Sequence, residues 1–336
     1  MKKKCEFSGH SELIKFIKFN YDGNCLASLS YDYTIRLWSL EERRELVCFS
    51  FSALEKYKAL GFNPEGKLFV AGILTRPPGL RPYKFVITDI TKKKIIASVN
   101  LERKGYPFAL YKPESIAFNP QCTLVAAIYS CDDVLKYKGG DILLWQLNKK
   151  LFGYRLKEVG NMCGKVSHYR SPLLAFSPEG DILVTTQPIM VKNFVRDEWV
   201  GIAEFWNVQT KKLVDMIEIP NLLGIHSIHF SLDGNVFLGT ELSGLKSFQL
   251  WDKKRNRVIT IEHSAEVLSS AISPDGRFLA TGDIAGTIKL SSIPEGNEIA
   301  AIQADTQRYG VSCISFGPDG KTIAFAADKI EVWELS

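Results

Sequence analysis

Along the chain one pattern recurs: an apolar position, a small or polar residue, a short polar turn and then an apolar run. It reads "FNYDG" at 19–23, "FNPEG" at 62–66, "FNPQC" at 118–122 and "FSPEG" at 176–180. It returns as "FSLDG" at 230–234, "ISPDG" at 272–276 and "FGPDG" at 316–320. Proline presets φ and glycine takes the left-handed position that other residues avoid, so Pro-Asp-Gly or Pro-Glu-Gly between apolar runs predicts a hairpin of two strands. Downstream of each copy lies a third strand ending in an aromatic or its stand-in: Trp38, Thr88-Asp89, Trp145, Trp206, Trp251, Ser291 and Trp333. A fourth strand follows, as in "KKIIASV" and "KKLVDMI". No stretch of convincing length carries a helical period.

The seven copies are spaced by 42 to 58 residues. Four-strand units of this kind, with Gly9-His10 ahead of the first and a tryptophan closing the third strand, resemble the WD-repeat β-propeller family over nearly the whole chain. The resemblance implies an all-β fold, a seven-bladed propeller of four-stranded antiparallel blades. The blades fall at approximately 9–52, 53–103, 104–160, 161–220, 221–262, 263–304 and 305–336. A strand at 2–8 then completes the last blade and closes the ring, removing exposed sheet edges. A two-sheet sandwich, the competing all-β architecture, needs no such period.

The family likeness also assigns a structural tetrad to each blade, which in the first matches His10, Ser28, Asp32 and Trp38. A buried aspartate needs donors, and a histidine, a serine and an indole can relay them. The same residue types could form an acyl-transfer triad, but that needs an exposed nucleophile and an oxyanion hole. Blade six keeps His263 and Thr281 but has Ala285 and Ser291 at the aspartate and tryptophan positions, and blade two ends in Thr88-Asp89. Such losses fit a stabilising role and predict that these two blades are less rigid.

From the first repeated position to the tryptophan position the chain runs 17 to 21 residues in blades one, five, six and seven. In blades two, three and four it runs 26 to 30. The extra residues fall between the second and third strands, at 72–85, 129–141 and 187–201, and are expected to form neighbouring loops on the top face. They carry Arg76, Arg81, Tyr83, Tyr129, Tyr137, Phe194, Arg196 and Trp199. Tyrosine, tryptophan and arginine dominate interface hot spots, so these eight are the candidate partner-binding residues.

Charge adds one rival reading. The net charge of +5 is mild, yet "TKKK" (91–94), "NKK" (148–150), "TKK" (210–212) and "DKKRNR" (252–257) are all expected at the turn between third and fourth strands. Such a stripe on the bottom rim could face phosphates. Asp22, Glu65, Glu179, Asp233, Asp275 and Asp319 share that face and offset much of it.

Composition removes several other classes. The chain has 336 residues, 46% hydrophobic and 24% charged, as a globular protein does. No apolar run approaches the roughly 18 residues of a membrane span. The start lacks the apolar stretch of an export signal, so the chain is expected to be cytoplasmic, with a nuclear location left open. Seven cysteines are scattered without a CxxC, which fits free thiols. His226 and His229 point to opposite faces of a strand and cannot share a metal, and Asp132-Asp133 is a lone acidic pair. No GxSxG, P-loop or GxGxxG occurs in a usable setting. No catalytic residue, metal or cofactor is therefore expected. The expected function is a non-catalytic protein–protein interaction scaffold or adaptor subunit within a larger complex, holding a partner protein on the top face near blades two to four. A propeller-scaffold hydrolase with its site at the central channel and a nucleic-acid binder using the lysine stripe are the alternatives.

Overall fold

The computed structural model describes residues 1–52, 55–74, 84–100, 112–130, 141–150, 153–163, 173–192, 197–220, 225–241, 246–253 and 257–335. The first strand is β1 (Lys2–Phe7). Blade one follows with β2 (Ile14–Phe19), β3 (Cys25–Ser30), β4 (Thr34–Ser39) and β5 (Arg44–Ser50). Blade two has β6 (Glu55–Phe62), β7 (Leu68–Leu74), β8 (Lys84–Asp89) and β9 (Lys94–Asn100). Blade three has β10 (Lys112–Phe118), β11 (Leu124–Ser130), β12 (Asp141–Lys150) and β13 (Gly153–Cys163). Blade four has β14 (Leu173–Phe176), β15 (Ile182–Lys192), β16 (Asp197–Asn207) and β17 (Leu213–Pro220). Blade five has β18 (Ile225–Phe230), β19 (Val236–Glu241), β20 (Ser247–Asp252) and β21 (Arg257–Glu262). Blade six has β22 (Val267–Ile272), β23 (Phe278–Asp283), β24 (Thr287–Ser292) and β25 (Glu298–Gln303). The last has β26 (Cys313–Phe316), β27 (Thr322–Ala326) and β28 (Ile330–Glu334). Each group is one antiparallel sheet paired in sequence order, and β1 pairs with β28 as the fourth strand of the seventh. The fold class is the one the repeats predict: all-β, seven blades of four antiparallel strands.

The repeated turn explains the register. The position after the acidic residue has positive φ in every copy: 74° at Gly23, 76° at Gly66, 80° at Gly180, 81° at Gly234, 73° at Gly276 and 65° at Gly320. Glycine meets this requirement without a Cβ clash. Blade three meets it with Cys122 at 52°, and the thiol fits because the neighbouring blade has Gly61, where a Cβ would lie 2.8 Å from Cys122 Sγ. In blades one, two, three, four and six the polar residue before the turn is a cap. Asn63 Oδ1 accepts from Lys67 N at 2.8 Å, Asn119 Oδ1 from Thr123 N at 2.8 Å, and Ser273 Oγ from Phe278 N at 2.9 Å.

A second device recurs at the third strand. The pairing of third with fourth strand slips by one residue just before Trp38, Thr88, Trp145, Trp206, Trp251 and Ser291. Such a bulge increases the local twist and turns the tryptophan position toward the neighbouring blade. The turn that follows again needs a left-handed residue, filled by Arg43 (53°), Lys93 (51°), Lys211 (59°) and Gly296 (74°).

Contacts divide the chain into two compact units, Met1–Phe51 with His226–Ser336, and Ser52–Ile225. In the first, β26 packs between β22 and β2, so the first strands of successive blades lie side by side. Phe7, Phe19, Leu26, Trp38, Ile330 and Val332 form one core between blades seven and one. In the second unit β10 packs between β6 and β14, and Phe69, Phe85, Ile87, Val125 and Trp145 form the core between blades two and three.

Two expectations are corrected here. The extension at 187–201 is not a loop in its described part: β15 and β16 run on as a ribbon, pairing from Gln187–Ile202 to Lys192–Asp197. Paired backbone needs no outside partner, so lengthening both strands together is less costly than an open loop. Likewise Asn148, Lys149 and Lys150 lie in β12 against Arg155, Tyr154 and Gly153, not in a turn.

Candidate functional site

The first blade brings His10, Ser28, Asp32 and Trp38 together. His10 Nδ1 lies 2.8 Å from Asp32 Oδ2, His10 Nε2 lies 2.7 Å from Ser28 Oγ, and Trp38 Nε1 donates to Ser28 Oγ at 2.9 Å. The ends fix the direction of the chain, because an indole only donates and a carboxylate only accepts. Trp38 gives its proton to Ser28, Ser28 gives its own to His10 Nε2, and His10 Nδ1–H goes to Asp32. Asp32 Oδ1 also takes Thr34 N at 2.8 Å and Thr34 Oγ1 at 2.7 Å, while Ser11 N reaches Oδ2 at 3.2 Å. Every polar group is spent internally, and Ser28 is fully buried, so it cannot meet a substrate. The residue types of a triad here hold the entering loop to the hairpin turn.

Burial lowers the pKa of the His10 imidazole, and attraction to Asp32 restores only part of it. For Asp32 burial alone would raise the value, but bonds from Thr34, His10 and Ser11 outweigh it and hold the carboxyl below its ordinary range. In blade five burial pushes His229 down to about 4. Both histidines are therefore neutral in the folded protein at pH values where an unfolded histidine, with a pKa of about 6.5, is protonated. Between about pH 6.5 and 4 the unfolded chain binds more protons, so stability falls as pH falls. Thermal melts followed by circular dichroism are expected to drop by several degrees across that window. A flat profile would remove the neutral-histidine account.

Blade six departs from the sequence expectation. His263 Nδ1 lies 3.0 Å from Asp283 Oδ2 and His263 Nε2 lies 2.8 Å from Thr281 Oγ1. The aspartate is present after all, two residues before Ala285. Alternate residues of an extended segment share a face, so Asp283 at the strand end reaches the same histidine, and its Oδ1 accepts Thr287 N at 2.8 Å. All three side chains are buried, and the expected looseness of this blade loses its basis. Blade two replaces the relay by Tyr57, whose hydroxyl lies 2.9 Å from Thr88 Oγ1. In blade seven Asp328 accepts Gln307 N at 2.8 Å and Arg308 N at 3.3 Å, doing the aspartate's loop-holding work without a histidine. Blade four is the least satisfied: Trp206 Nε1 and Thr186 Oγ1 are buried without a partner among the described residues.

Of the candidate partner-binding residues, Arg76, Arg81, Tyr83, Tyr137, Phe194 and Arg196 lie outside the described residues. Tyr129 is in β11, paired with Asp141, and Trp199 is in β16, paired with Met190. The lysine stripe is in part structural. Lys93 and Lys211 take left-handed turn positions, and a Cβ at Gly160 would collide with the Lys211 stem, so that stem lies on the outer strand of the preceding blade. Among the described residues no group of three or more His, Cys, Asp or Glu could hold a metal ion, and no helix is long and apolar enough to cross a membrane.

Four-stranded antiparallel blades, two of them carrying a buried histidine–hydroxyl–aspartate relay, define a repeat propeller. Residues 1–39 and 255–290 match the family model described as WD domain, G-beta repeat. It is 31% identical over 116 residues to meiotic recombination protein rec14 of Schizosaccharomyces pombe, covering 33% of this chain and 37% of that protein. It is 23% identical over 162 residues to Nucleoporin Nup37 of Drosophila melanogaster, covering 48% and 43%. With Protein SPA1-RELATED 3 of Arabidopsis thaliana it shares 36% identity over 89 residues, 25% of this chain and 10% of that one. The chain spans less than half the length of each of these relatives.

Proposed function

We propose that the chain is a non-catalytic scaffold or adaptor subunit, and that it holds a partner protein through the extended second-to-third-strand hairpins of blades two, three and four. The observation that carries this reading is the ribbon of blade four, which runs three residue pairs past the end of β17, from Met190–Trp199 to Lys192–Asp197. A hairpin lengthened in register presents side chains on a preorganised backbone, so a partner loses less free energy ordering it. The buried relays support the non-catalytic part, since their serine, histidine and aspartate groups are saturated by one another. Work within a larger complex accords with relatives such as a nucleoporin, and that name draws the expected location toward the nucleus.

The test compares affinity purification and mass spectrometry of the intact chain with a variant whose three hairpins are cut to tight turns. The variant should keep its circular dichroism spectrum and lose at least one partner by tenfold or more. Recovery of the same partners at the same level would sink the assignment to these hairpins.

A further inference from the structure

Away from the relays, the first strands of blades five, six, seven and one, with Phe248 of β20, line a half-open cavity of about 460 Å3 within one compact unit. Hydroxyl groups stitch these strands together. Ser270 Oγ donates to Ser227 Oγ at 3.0 Å between blades five and six, with His229 Nε2 also 3.0 Å from Ser270 Oγ. Ser269 Oγ donates to the Val311 carbonyl at 2.7 Å between six and seven, and Ser312 Oγ to the Ile14 carbonyl at 2.7 Å between seven and one.

These serines line the cavity, and the stitching decides what they offer it. A hydroxyl has one proton and two lone pairs. Ser269 and Ser312 have committed their protons to main-chain carbonyls, so they face a ligand as acceptors. Glu266, exposed on the lining, adds a carboxylate that no cation among the described residues pairs with. The other charged residue there, Lys15, has its ammonium 5.4 Å from the Phe16 ring centre and 5.7 Å from that of Tyr31. Phe248, Val267 and Leu268 supply apolar wall.

We propose that this cavity binds a cationic, donor-rich group on a slim apolar stem, with a guanidinium preferred over an ammonium. Several acceptors set apart on different strands suit a planar fork of five N–H donors, and flat apolar wall suits its faces. A compact ammonium reaches fewer of them and is more strongly hydrated. The volume leaves room for the stem and for bridging water. Two sources carry this chemistry, an arginine side chain of a peptide and a small free guanidine. The site lies on other blades than the hairpins proposed above, and the two proposals stand or fall separately.

The test is calorimetric titration of the full chain with acetyl-Ala-Ala-Arg-Ala-Ala-amide, with the same peptide carrying neutral citrulline for arginine, and with agmatine. At least one of the two cationic probes should bind saturably, and the citrulline peptide about tenfold or more weaker than the arginine peptide or not at all. Glu266→Gln should weaken the cationic probe about tenfold and Lys15→Gln should tighten it about threefold, opposite signs from two charge changes on one lining. Both variants should melt with the wild type, which separates the effect from misfolding. Binding of agmatine as tight as the peptide assigns the site to a free guanidine, and binding of the peptide alone to a partner's arginine. Absence of binding by both cations, equal affinity for the citrulline peptide, or a shift of the same sign in the two variants would overturn the proposal.

Discussion

Deleting residues 1–8 is expected to lower the unfolding temperature by on the order of 10 °C and to make the chain associate with itself. The deletion removes β1, whose residues Lys2 to Phe7 pair with Glu334 to Ile330. Phe7, 3% exposed, leaves the core and its stack on Trp38, where the ring centres are 5.2 Å apart. Loss of one such aromatic costs about 3–5 kcal/mol before any strand pairing is counted, against a total stability of about 5–15 kcal/mol. The buried Glu331 carboxylate also loses Lys3, 3.1 Å away. An uncovered β28 edge is a template for another strand, which is the reason to expect association. Size-exclusion chromatography and thermal melts read both effects, and a peptide of residues 1–8 added in excess should reverse them. A truncated chain that melts with the intact one and elutes at the same volume would show that β1 is dispensable.

Trp38→Ala is expected to cost about 4 kcal/mol, with Trp38→Phe costing about a third of that. The indole is 2% exposed, stacked on Phe7, with the Arg36 guanidinium 5.9 Å from its ring centre. Alanine empties the space between blades seven and one and leaves Ser28 Oγ without its donor. Phenylalanine keeps most of the packing and loses only the N–H. Urea denaturation separates the two, since both changes move the midpoint while leaving the slope unchanged. A Trp38→Ala variant within about 1 kcal/mol of wild type would mean that the relay and the inter-blade core are not what holds the first blade in place.

The repeating turns were legible because glycine at a left-handed position leaves a mark in the sequence that few other needs produce. Six glycines, with Cys122 standing at the same place in the third copy, mark seven hairpins in the sequence. The relays were legible only where each residue stands at its usual spacing. Asp283 was missed because a carboxylate can be supplied from any position on one face of an extended segment, and spacing alone does not say which. Tyr57 was missed for a related reason: it lies 31 residues before Thr88 in the chain, and nothing local ties them. The family model matches at 1–39 and 255–290, which hold the His10–Asp32 and His263–Asp283 relays. The spacing predicts a loop at 187–201 because added length alone does not say whether the extra residues pair, and in the structure Pro188 and Gly201 face each other across paired strands. For the partner-binding set the sequence supplied residue types and lengths, and the described backbone reaches two of the eight, Tyr129 and Trp199.

Cys122 and Gly61 make two blades specific to one another. The turn of blade three has no glycine, and its thiol occupies space that blade two leaves by having no side chain at 61. Glycine at 122 would relieve the backbone and open a void beside Gly61, while any side chain at 61 would meet Phe118 at 2.9 Å as well as the thiol. Neither site can be changed alone without a penalty, so the pair acts as a lock between adjacent blades: a blade two exchanged with another that carries a side chain at this position would no longer receive its neighbour's sulfur.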